Sequence, residues 1–178
     1  MTDNNDAPTT AAEGNSDQNQ AAGAEPKFAV KQLYLKDASF ESPMGIRGVA
    51  RLREAKAHQD LNTKITRLDE KHVEVVLKFT ITVKLPDDQI VYLVEVHQAG
   101  LFLASDIDGQ NFQHLVASVC PQIIFPYLRE AVDNLVTRAG FPALVLPPIN
   151  FDAVYAQVRA QEAQKAHEQS QQEKVSEH

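Results

Sequence analysis

Six histidines, one cysteine and the run Asp106-Ile107-Asp108-Gly109 are the residues of this 178-residue chain whose types could carry chemistry. Asp-x-Asp-Gly opens like a calcium loop, in which carboxylates at alternate positions wrap a cation. The further ligand position and the closing bidentate glutamate are missing, so the run reads as a turn. A metal site on a helix needs ligands three or four residues apart, and no two histidines have that spacing. His114 and Cys120 are six apart, which puts them on different sides of a helix and leaves no Cys–His nucleophile pair. Cys120 reads instead as a small buried group ahead of Pro121. A lone cysteine also excludes an internal disulfide and a one-chain zinc site built on thiolates. There is no glycine-rich phosphate loop, Walker lysine or nucleophile elbow. Catalysis therefore has no support, and no metal or cofactor is expected.

What the chain does carry is apolar surface in unusual places. The stretch CPQIIFPYLREAVDNLVTRAGFPALVLPPINFDAVY, from Cys120 to Tyr155, reads first as a helix with Pro126 lodged inside it. It then passes into a loop too apolar for water: Phe141, Leu144, Val145, Leu146 and Ile149 among three prolines. Either that loop packs under its own core, or it forms an accessible lip for binding. Ile90 to Val96 poses a similar question, because apolar groups fall on both faces of the strand. Burial within one larger fold and burial against another subunit both fit.

The elements that must position these surfaces follow from periodicity. His72 to Leu85 alternates Val73, Val75, Leu77, Phe79, Ile81, Val83 and Leu85 with mostly polar residues, which predicts a strand with one buried face. Pro86 and Asp87 form a turn, and a second strand from Ile90 to Leu103 completes a hairpin. Phe28–Phe40 and Ala57–Asp69 are two further strands, joined by a crossover with some helical character. After Phe102 the period changes to helical. Phe112–Val119 predicts a short helix, and Pro121 suits a new helix start. Arg138 and Gly140 mark that helix's end. Asn150 caps a last helix, with Ile149 and Val154 as a hydrophobic staple. Strands first and helices after them predict an α+β domain, with helices on one face of an antiparallel sheet.

Residues 1–26 are polar and nearly free of large apolar groups, so they are expected to be a disordered N-terminal tail. Residues 27–159 form the domain, and 160–178 a Gln-rich tail that prolongs the last helix for a turn or two before fraying. The net charge is −7, but five of the 24 acids lie in the first 25 residues, where no Lys or Arg occurs. The domain is close to neutral, so any acidic docking surface is a local patch. No basic field points to nucleic acid. No membrane-length apolar run occurs, and the polar start predicts no secretory signal. With the lone cysteine, this predicts a cytoplasmic protein without direct membrane insertion.

QLYLKDASFESP (Gln32–Pro43), EVHQAGLF (Glu95–Phe102) and the Cys120–Tyr155 block resemble the bacterial protein-export chaperone family SecB. The resemblance covers Phe28 to Tyr155. It implies a four-stranded antiparallel sheet with helices on one face, assembled as a homotetramer, a dimer of dimers. It implies an ATP-independent holdase that keeps preproteins unfolded and passes them to the translocation motor SecA. Matched onto this chain, the family's SecA-docking positions are Asp37, Glu41, Leu93 and Glu95. A client-binding groove would take Tyr127, Phe141 and Leu144, with Leu61 and Ile65 from a strand. Val94 and Val96 would face a subunit contact. The family's crossover carries a W-x-P element that Met44–Lys56 does not match. Related proteins serve toxin–antitoxin pairs, and a small-ligand carrier or non-catalytic interaction subunit is the reading from another class.

Overall fold

The computed structural model describes residues 27–176, with side chains through residue 165. The tail expected over residues 1–26 lies outside the described residues. Four long strands follow the alternation: β1 (Phe28–Glu41), β2 (Lys56–Arg67), β3 (His72–Lys84) and β4 (Ile90–Ala104). They form one antiparallel sheet in the order β1-β4-β3-β2. The link from β1 to β2 must therefore carry the chain from one sheet edge to the other. It holds the expected helical character as α1 (Ile46–Arg51) and a 3₁₀ turn (Leu52–Glu54). A Cβ at Gly48 would lie 2.9 Å from Val91 Cγ1, so glycine is what lets α1 sit on the end of β4.

The β3–β4 hairpin closes as its turn residues predict: the Leu85 N–H donates to the Gln89 carbonyl at 2.9 Å, and Asp88 takes a φ of 64°. Opposed residues share a face, and the register sorts the two sides of the sheet. Leu77, Phe79, Ile81 and Val83 of β3 stand opposite Gln98, Val96, Val94 and Tyr92 of β4 on the face that meets the helices. Between them, Lys78, Thr80 and Thr82 stand opposite His97, Glu95 and Leu93 on the other face. The pairing slips by one residue between Val83 and Lys84. Val91 becomes the extra, bulged residue there and is buried against Gly48 despite sharing parity with Leu93.

The helical half departs from expectation at Pro121. Helix α2 (Gly109–His114) is capped by Asp108, whose side chain accepts the Asn111 N–H at 2.9 Å. It runs without interruption through a π-helical turn (Leu115–Val119) into α3 (Cys120–Arg138). Pro121 does not start a helix; it lies inside a continuous rod, as does Pro126. A proline removes one rung of the ladder and crowds the preceding turn, and the wide turn directly before Pro121 gives the ring room. Gly140 (φ 85°) ends α3 as predicted, with the Phe141 N–H on the Val136 carbonyl and the Gly140 N–H on that of Thr137.

Ile124, Leu128, Val132 and Val136 of α3 are fully buried over β3 and β4. Val94 and Val96 lie directly beneath and are also fully buried in the subunit's own core. The expectation that these two valines face another subunit is thus corrected: their side of β4 is already occupied by α3. Asn150 caps α4 (Phe151–Ser176), accepting the Ala153 N–H at 3.0 Å. Ile149 packs on the core while Val154 stays half exposed, so only one half of the expected staple is buried. Helix α4 continues to Ser176, further than the turn or two expected beyond residue 160.

Candidate docking face and client-binding surface

The register places the four predicted docking residues together. Asp37 stands opposite His97, Ser39 opposite Glu95, and Glu41 opposite Leu93. The residues between them, Ala38 and Phe40, stand opposite Val96 and Val94 and turn toward the core. Strand alternation therefore puts Asp37, Glu41, Leu93 and Glu95 on the face away from the helices, on two neighbouring strands. Asp37 and Glu41 are exposed, and Leu93 and Glu95 half-buried. An apolar residue framed by three carboxylates is suited to a basic partner that brings some apolar surface of its own.

His97 was not singled out from the sequence, although it shares parity with Leu93 and Glu95. Its Nε2 lies 2.8 Å from Glu95 Oε1 and its Nδ1 3.8 Å from Asp37 Oδ2. Further along the same face, the Tyr34 hydroxyl and the Lys36 ammonium both donate to the Glu74 carboxylate, Lys36 reaching each oxygen at 2.8 Å. Ala99 on β4 lies opposite both Tyr34 and Val76, and its small side chain leaves room for this bridge from β1 to β3. Lys36 and Tyr34 hold the Glu74 carboxyl below its usual range, and Glu74 in turn pushes the Tyr34 hydroxyl up to about 12. The bridge fixes the sheet beside the acidic patch.

The proposed groove residues separate. Phe141 is 4% exposed, its ring 4.8 Å from that of Tyr92 and 5.9 Å from that of Phe40. It is a core residue, and its expected place on an accessible lip is corrected. The rest of the loop divides along its length: Leu146 is buried, Leu144 half-buried, and Val145 85% exposed. Asp133 fixes it by accepting the Leu144 N–H at 3.1 Å. Leu144, Val145 and Leu146 line an open cleft of about 380 Å³ with Pro126, Arg129, Glu130 and Asp133. Tyr127 is half exposed on the flank of α3 that also carries Ala131 and Asn134, toward β1. Leu61 and Ile65 stand opposite Phe79 and Val75 on β2, the far edge strand. The remaining groove residues thus lie apart, on the loop, on the α3 flank and on the β2 edge.

One polar cluster ties α4 to the rest. Asp152 accepts from Ser118 Oγ at 2.5 Å and lies 2.8 Å from His114 Nε2. The carboxylate stands between hydroxyl and imidazole, so the imidazole meets Asp152 and not the serine, which is not the order of a Ser-His-Asp triad. Burial pushes the Cys120 thiol up to about 12, which leaves it protonated and unreactive. Among the described residues no group of three or more His, Cys, Asp or Glu could hold a metal ion, and no helix is long and apolar enough to cross a membrane.

A family model described as preprotein translocase subunit SecB matches residues 21–162. The protein-export protein SecB of Saccharophagus degradans is 46% identical over 154 residues, covering 84% of this chain and 92% of that relative. That of Cellvibrio japonicus is 46% identical over 150 residues, 84% of this chain and 89% of its own. That of Pseudomonas aeruginosa is 44% identical over 147 residues, 83% of this chain and 87% of its own. Among solved structures, a SecB-like chaperone of Mycobacterium tuberculosis, in complex with a peptide from an antitoxin, superposes with a TM-score of 0.55. It covers 68% of this chain and 90% of its own length at 16% identity, a likeness of fold. With the family model spanning most of the chain and relatives this similar along nearly their whole length, this chain belongs to the SecB family.

Proposed function

We propose that this protein, as a cytoplasmic SecB-family export chaperone, docks on SecA through Asp37, Glu41, Leu93 and Glu95 and holds unfolded preproteins on its helix-side apolar surface. It works without catalysis, as its family does. The observation that carries this reading is the segregation of the two surfaces. The acids stand on the open face of β1 and β4, while exposed apolar groups such as Val145 and Tyr127 lie on the loop and helices. A chaperone that must hold a client and meet a motor together needs two surfaces that do not compete.

Unfolded chains offer apolar side chains at irregular intervals, and scattered apolar stations accept many sequences without a unique fit. Each contact is weak. Repeated over a homotetramer, a dimer of dimers, the stations raise the effective concentration for every next contact and hold a long chain tightly. Folded clients expose too few segments and escape. A dedicated toxin–antitoxin role is the weaker reading, because the relatives of 44–46% identity carry the export name and the antitoxin-bound structure shares only the fold.

The test is a paired titration of wild type and Asp37→Lys/Glu95→Lys against SecA and against a reduced, unfolded preprotein. The double variant is expected to lose SecA docking and keep client capture. Raising salt should weaken wild-type docking, since exposed charges are screened over about 8 Å at physiological strength, and leave capture nearly unchanged. Loss of both activities together, or of neither, overturns the assignment.

A further inference from the structure

We infer that His97 is a positioning residue of the acidic docking face, clamping Glu95 and Asp37 across two strands and setting the charge they present. The inference rests on the docking-face reading above. Its ring lies between the two carboxylates, Nε2 at 2.8 Å from Glu95 and Nδ1 at 3.8 Å from Asp37, with the side chain 16% exposed. Both ring nitrogens thus face an acid, and the strand register holds them there, since His97 is paired directly with Asp37 on β1.

The consequence follows from the chemistry of imidazole. A neutral ring donates from one nitrogen only. With Nε2 at hydrogen-bond distance, the neutral ring donates to Glu95 and turns the Nδ1 lone pair toward Asp37. Asp37 is then unrestrained, and both carboxylate charges are available to a basic partner. The imidazolium keeps its hydrogen bond to Glu95, attracts Asp37 across 3.8 Å as an ion pair, and cancels one of their two charges. Other charges near this ring are few. Lys78 on β3 stands directly opposite His97, and beyond it on β2 are Asn62, Asp60 and Lys64. Lys36, next to Asp37 on β1, is engaged with Glu74 at 2.8 Å. Glu41 lies two pairs further along the same face. Among side chains, imidazole is the one whose charge ordinarily changes between about pH 5 and 8. The docking face therefore carries its own charge control, with acid conditions weakening its hold on a basic partner.

The experiment measures SecA affinity of the full-length chain from pH 6 to pH 8.5 for wild type, His97→Gln and His97→Lys, with Asp37→Lys/Glu95→Lys alongside. Ratios between variants remove the titration of SecA itself. Wild type and His97→Gln should bind alike at pH 8.5. At pH 6 wild type should be about fivefold weaker than His97→Gln, the effect of one nearby charge at a solvated surface. His97→Lys should be weak throughout, with the flat profile of His97→Gln. Parallel profiles for wild type and His97→Gln overturn the inference about His97 while leaving the docking face in place. Undiminished binding by the Asp37→Lys/Glu95→Lys variant overturns the docking face, and the inference with it.

Discussion

At the scale of single residues, the contrast between Phe141 and Val145 separates the packed part of the apolar loop from its exposed part. The Phe141 ring closes an aromatic cluster with Phe40 and Tyr92, whereas Val145 is 85% exposed on the cleft beside α3. Phe141→Asp should therefore cost the fold about 3 kcal/mol or more, since a carboxylate replaces a packed ring. Val145→Asp should leave the melting curve unchanged and weaken capture of unfolded clients severalfold. Thermal melts and a client-capture assay on both variants check this, and a stable Phe141→Asp protein would contradict the packing described. Asp37, Glu41, Leu93 and Glu95 came from the resemblance to the SecB family, and strand parity added only that Leu93 and Glu95 share a face of β4, and Asp37 and Glu41 a face of β1. Phe141 was not legible in the same way. A loop residue has no periodicity, and its burial depends on rings that are distant in sequence.

At the scale of elements, the strands were readable almost to the residue, while the helices were misdivided at Pro121. Proline at a helix start and proline after a π-helical turn look alike in sequence, because both leave the same backbone donor missing. The start of α4 was readable from Asn150 but not its anchoring, which depends on Ser118 and His114 meeting Asp152 across two helices. Ser118 first, and then His114, hold the Asp152 carboxyl below its usual range. Because its value is depressed in the folded chain, the contact contributes above the ordinary carboxylate value of 3.8 and is lost as pH falls through the lower folded one. Asp152→Ala should imitate that loss at neutral pH. Amide exchange in the first turns of α4 should accelerate about tenfold or more, with exchange in β3 and β4 unchanged. Equal protection of α4 in both proteins would show that the cluster does not anchor it.

At the scale of the whole molecule, the proposed homotetramer needs a contact surface. The sequence pointed to Val94 and Val96 because β4 carries apolar groups on both faces. The bulge at Val91 and the placement of α3 account for Val91, Val94 and Val96 within one chain, and leave Leu93 on the other face. Among the described residues both sheet edges, β1 and β2, are unpaired on their outer sides, and β1 is the longer. It is an edge strand of 14 residues, paired only with β4, and edges of that length invite another chain. Leu35 and Val30, 52% and 44% exposed, lie on that strand. Leu35 lines an open cleft of about 330 Å³ with Ala38, Ala131 and Leu135. Apolar groups beside an unpaired edge suit a symmetric contact, in which the same patch meets itself. Leu35→Asp should therefore divide the assembly at micromolar concentration, as read by light scattering, and leave each subunit folded with an unchanged circular dichroism spectrum. Val94→Asp should do the reverse of what an interface residue does. With its side chain fully buried beneath α3, it should unfold the subunit itself, so that loss of assembly and loss of structure coincide at every concentration. If Leu35→Asp remains a tetramer while Val94→Asp yields folded smaller species, the contact surface lies on β4 after all.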